Sequence, residues 1–122
     1  MIWIPLVHTV PPIGAVYQSH ISFAFIGKQN IRLTICDTNT AAIELEGIIN
    51  IKDSIHYEIN RNKFDFTLSD SLKNTLQKYH CALKNAEFDQ TNDAAYITCF
   101  IKPIRYHHRI ELLRFNKKSS IS

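Results

Sequence analysis

Along most of the chain, apolar side chains fall on every second position. Ile31, Leu33 and Ile35 alternate with Arg32, Thr34 and Cys36; Ile55, Tyr57 and Ile59 alternate with His56 and Glu58; Ala95, Ile97, Cys99 and Ile101 alternate with Tyr96, Thr98, Phe100 and Lys102. Successive side chains of a strand point to opposite faces, so this spacing predicts strands with one buried face. Strands are expected over 16–26, 31–36, 43–51 with Gly47 marking a bulge, 55–59, 64–68, 81–88, 95–101 and 106–115. The breaks between them carry turn chemistry: Asp37-Thr38-Asn39-Thr40, Lys52-Asp53-Ser54, Asn60-Arg61-Asn62 and Asp89-Gln90-Thr91-Asn92-Asp93. Pro103 closes the seventh strand, because proline cannot donate to a ladder.

The period changes once. Leu68, Leu72, Leu76 and Tyr79 form a stripe at helical spacing, with Lys73 and Lys78 toward the other side. Ser69 is suited to cap the N-terminus and Asp70 to sit in the first turn, where the helix dipole favours negative charge. A helix is therefore expected near 70–79. About eight strands at spacings near ten residues, joined by short polar turns, predict an all-β, mostly antiparallel domain. It is expected to be an up-and-down barrel or sandwich with one internal helix. A small closed or nearly closed barrel is favoured, with the helix plugging or covering one end.

Organisation follows from the same pattern. Residues 1–13 are an apolar arm ending at Pro11-Pro12, residues 14–115 a single β domain, and residues 116–122 a polar tail. A chain of 122 residues can bury a core without disulfides or metals. Three cysteines, Cys36, Cys81 and Cys99, show no regular spacing and argue against a disulfide framework. Residues 1–10 lack the basic start of a signal peptide, since the first Lys or Arg is Lys28, and no window reaches the ~18 apolar residues of a membrane span. An intracellular location is the expectation. The abundance of isoleucine, asparagine and lysine resembles chains encoded by AT-rich genomes, such as those of large DNA viruses or AT-rich protists; the cytoplasm is the expected place, or, for a virus-encoded chain, the virus particle or infected cell.

The meander and its length resemble the calycin superfamily of lipocalins and fatty-acid-binding proteins, across Gly14 to Phe115. Gly14-Ala15-Val16-Tyr17 echoes the Gly-x-Trp opening of lipocalins, with Tyr17 in place of Trp. The resemblance implies that Arg109 or Arg114 packs over that ring as the late-strand arginine. It also implies a barrel that holds a small apolar ligand. The Thr-Asp-Tyr-type motif is missing, and the helix precedes the last three strands, whereas lipocalins carry theirs after the barrel.

Candidate chemistry is sparse. His8, His20, His56, His80, His107 and His108 show no zinc spacing, and His107 and His108 point to opposite faces. Glu44 and Glu46 share a face and read as solvated charges. Cys36, Cys81 and Cys99 read as buried, inert thiols. No nucleophile elbow, zinc-protease, P-loop or dinucleotide motif occurs. No catalytic residue, cofactor or metal is implied.

Charge is the non-uniform feature. The whole chain carries +3, yet residues 102–118 hold Lys102, Arg105, Arg109, Arg114, Lys117 and Lys118 against only Glu111. Basic side chains interleaved with aromatics suit a polyanion or single-stranded nucleic acid. The bland alternative is an edge strand guarded by charge. The first and last long strands also look apolar on both faces, which predicts a cover from another element or chain. Trp3, Phe23, Phe25, Leu113 and Phe115 are the expected partner contacts. The leading expectation is thus a non-enzymatic interaction or assembly protein with a protein partner or homo-oligomer. A calycin-like binder of a small apolar ligand comes next, then a polyanion binder.

Overall fold

A computed structural model describes residues 11–23, 27–61 and 63–115, apart from the side chain of Phe23. Eight antiparallel strands form a closed barrel in chain order: β1 (Val16–Phe23), β2 (Gly27–Ile35), β3 (Thr40–Gly47), β4 (Ile51–Asn60), β5 (Lys63–Thr67), β6 (Cys81–Asp89), β7 (Ala94–Ile101) and β8 (Tyr106–Arg114). One helix, α1 (Asp70–Lys78), separates β5 from β6, and a 3-10 turn over Lys102–Ile104 precedes β8. The barrel form of the expected fold is the one adopted.

Alternation produces the inner face. Ile31, Leu33 and Ile35 of β2, Ala41 and Ile43 of β3, and Ile55 and Tyr57 of β4 are buried, while Arg32, His56 and Glu58 face out. Three boundaries differ from the sequence reading. Lys52-Asp53-Ser54 does not break a strand but lies inside β4, because Asp53 pairs with Ile43 and keeps the alternation running. Gly47 is not a bulge; it ends β3 at φ +135, where a Cβ would stand 2.1 Å from the Lys28 carbonyl oxygen. The irregular register lies instead in β6, between Leu83 and Asn85.

The helix starts as its residues dictate. Ser69 Oγ accepts from Leu72 N at 3.1 Å, and the Ser69 hydroxyl donates to the Asp53 carboxylate, tying α1 to β4. Those contacts hold the Asp53 carboxyl below its usual range, the Ser69 bond being the larger cause and the Ser54 amide the next. Leu72 and Leu76 face the barrel. The helix has a defined gap to cover. β5 and β6 pair only at Lys63↔Glu87 and then diverge toward α1. β1 and β8 likewise pair only at Tyr17↔Arg114 and Gln18↔Leu113. Closure is therefore tight at the end of the barrel away from α1 and loose at the helix end.

Candidate functional site

The two halves of the barrel interior differ. At the tight end, rings fill the space. Tyr17 meets Phe88 edge-on at 5.7 Å, Phe64 meets Phe88 at 5.8 Å and Tyr57 at 5.4 Å, and Phe66 stacks on Phe64 at 5.2 Å. At the helix end, the inward positions are mostly aliphatic. They leave a cavity of about 450 Å³ between α1 and the ends of β1–β3 and β6–β8. Its floor is Ile31, Ile43, Ile97 and Ile110; its roof is Leu72 and Leu76; Tyr79 and Ile104 stand at the exposed rim.

The polar groups on this wall are few. Gln29 is buried, but its amide is already used: Oε1 accepts from Ile49 N at 2.7 Å, and Nε2 donates to Ile49 O at 3.0 Å and Asn30 O at 3.1 Å. That arrangement fixes the β3–β4 turn at the mouth. The remaining polar positions are Tyr79, Cys81, Cys99 and His108. No Lys, Arg, Asp or Glu is among the described lining residues. An unpaired charge would be costly in such a chamber.

At the opposite end, the Tyr17 hydroxyl donates to Asp93 Oδ1 at 2.7 Å, and Arg114 Nη1 donates to Asp93 Oδ2 at 2.8 Å. The Arg114 guanidinium lies 5.9 Å from the Tyr17 ring centroid. The arginine beside that ring is therefore Arg114, and not Arg109. Burial, then the hydrogen bond and charge of Asp93, push the Tyr17 hydroxyl well above its ordinary range, with Arg114 opposing. Compared with family models, characterised proteins and solved structures, the chain matches none.

Two arginines of the basic stripe are engaged within the chain. Arg109 lies 3.9 Å over the Tyr96 ring and 3.6 Å from Glu87, and Arg114 is held by Asp93. Lys102 and Arg105 are exposed on the turn before β8. Lys117 and Lys118 lie outside the described residues, as do Trp3 and Phe25, while β1 ends at Phe23. Leu113 is 55% exposed and Phe115 40% exposed, both on the outer side of the barrel beside β1. The two histidines of β8 do face opposite ways: His107 packs on Phe100 at 4.7 Å, and His108 lines the cavity. The reading of three buried thiols holds for Cys99 alone. Cys36 is exposed, because it takes the outward phase after Ile35, and Cys81 is only partly buried at the start of β6.

Inward phase was legible for Ile31, Ile43 and Ile97, but their role as cavity wall was not. The signal available was a segregation of residue type, with aromatics clustering at one set of strand ends and Ile and Leu at the other. It becomes readable only when the eight strands are aligned end to end.

Proposed function

We propose that the chain binds a small, uncharged, apolar molecule inside the barrel, beneath α1. The observation that carries this reading is the cavity of about 450 Å³ with its aliphatic wall. Its volume falls in the range of small-molecule sites, roughly 300–1,000 Å³. The calycin-like reading of the meander belongs with this proposal, supported by the closed eight-strand barrel and by Arg114 beside Tyr17. The loose seams between β5 and β6 and between β1 and β8 lead toward the cavity, so ligand exchange there needs no breakage of the tight end.

The expected strength follows from burial. Dodecanol, with twelve carbons at about 0.8 kcal/mol each, gains nearly 10 kcal/mol. Association costs at least about 4 kcal/mol, which leaves a Kd near 100 µM. The test is displacement of Nile red fluorescence from the folded chain. Dodecanol should displace it better than laurate, whose carboxylate finds no Lys or Arg among the described lining residues. Ile97→Trp, which narrows the chamber, should weaken the signal while the chain stays folded. Undiminished Nile red binding in that variant would overturn the reading.

Exposed Leu113 and Phe115 favour a second reading, a protein partner or second copy seated on the outer side of β8. Light scattering of the chain and of Leu113→Glu tests it: a mass that drops on substitution supports association, and a monomer at high concentration removes a homo-oligomer.

A further inference from the structure

We propose that Cys81 is a covalent capture site for apolar α,β-unsaturated carbonyl compounds, with Cys99 as its positioning thiol. The proposal rests on the cavity being a ligand site. Two of the three cysteines lie on the wall of that chamber and the third lies outside it. Cys36 is exposed, with its Sγ donating to the Thr34 carbonyl at 3.7 Å. Cys81 opens β6 and is partly buried; Cys99, on β7, is 8% exposed. Cys81 pairs with Ile101 and Leu83 pairs with Cys99, so the two cysteines are diagonal neighbours on the same inner face. His108 stands directly opposite Cys99 on β8, also on the wall. Among the described residues no three ligand-bearing side chains gather into a metal site.

The pair is unequal. The neighbouring Cys99 thiol lowers the Cys81 pKa against the opposing effect of burial. The Cys81 sulfur, together with burial, pushes the Cys99 thiol up. Thiolate character, which makes cysteine a nucleophile, therefore concentrates on the less buried sulfur. That sulfur faces an aliphatic chamber, so an electrophile reaches it by burying a hydrocarbon tail.

The reaction is a conjugate addition. The Cys81 sulfur forms a bond to the β-carbon, the C=C π pair moves to the α-carbon, and that carbon takes up the proton lost from the Cys81 thiol. The net change is addition of S–H across C=C. Nothing leaves, and no oxidant or reductant takes part.

The test uses the full chain with trans-nonenal, read by intact mass and peptide mapping. Cys81 should gain the whole mass of the aldehyde about tenfold faster than Cys36, because the cavity holds the tail and the alkene beside the sulfur. Iodoacetamide, small and polar, should instead prefer Cys36. Nile red should slow only the Cys81 adduct. Cys99→Ala should move the pH profile of Cys81 reactivity to higher pH, and Cys99→Ser, which keeps a donor, should restore it. Preferential adduct on Cys36, or a Cys81 pH profile indifferent to Cys99, overturns the proposal. If Nile red binds and Cys81 stays unmodified, capture fails while the cavity reading stands. If Nile red does not bind either, both fail.

Discussion

Truncating one side chain in each half of the barrel should cost very different amounts. Leu72 is fully buried (0% exposed) on α1, but part of its surroundings is empty chamber. Leu72→Ala removes three carbons, about 2.4 kcal/mol of transfer free energy. Leu→Ala changes in packed cores cost about 2.7–5.0 kcal/mol, rising with the void created. Where the side chain already borders a void, fewer contacts are there to lose, so about 2.5 kcal/mol is expected. Phe64 is the contrast. It touches Tyr57, Phe66 and Phe88 at centroid distances of 5.4, 5.2 and 5.8 Å. Phe→Ala costs about 3–5 kcal/mol, and ring pairs add about 0.5–1.5 kcal/mol each, so Phe64→Ala should approach about 5 kcal/mol. Urea unfolding of both variants gives the two losses, provided the m-values agree. A gap near 2 kcal/mol is expected, with Phe64→Ala the worse. Equal losses, or the reverse order, would refute the claim that the interior is filled at one end and hollow at the other. Saturating dodecanol should stabilise the parent chain and Phe64→Ala alike, since the ligand lies in the other half.

Gly47→Ala should cost about 2 kcal/mol or more, because the new Cβ meets the Lys28 carbonyl at 2.1 Å and φ is +135; thermal unfolding measures it. Ser69→Ala removes the N-cap of α1 and should cost about 1 kcal/mol, with helical circular dichroism showing fraying. The raised pKa of Tyr17 means that its contribution to stability is complete below pH 10, the ordinary tyrosine value, and is lost as pH rises above it. Tyr57, raised mainly by burial and next by Asp37, acts in the same direction. Tyr17→Phe should therefore flatten, though not abolish, the alkaline fall in urea midpoint, and an unchanged slope would contradict the assignment. The lowered pKa of Asp37, set first by the Asn39 amide, gives stability present above the unfolded carboxylate value and lost as pH falls through the folded one. Asp37→Asn should blunt the acid side of the same curve.

Much of this protein was determined by local rules that a sequence displays. Alternation at Ile31-Leu33-Ile35 and at Ile55-Tyr57 decides which face turns inward, because the pleat has a period of two whatever lies across from it. Ser69 capping Leu72 is equally local. The interruption expected at Lys52-Asp53-Ser54 was wrong because three polar residues look like a turn in isolation. In the barrel, Asp53 keeps its pairing with Ile43 and meets Ser69, a residue sixteen positions away. Which arginine lies beside Tyr17 was a question of β1–β8 register, and both Arg109 and Arg114 satisfied the sequence. The cavity was a tertiary decision in the same sense. Each strand contributes inward residues without reference to the others, and only closure sets five rings against one another at one end. At the other end it leaves a cavity lined mostly by Ile and Leu, with α1 across the gap that β5 and β6 leave open.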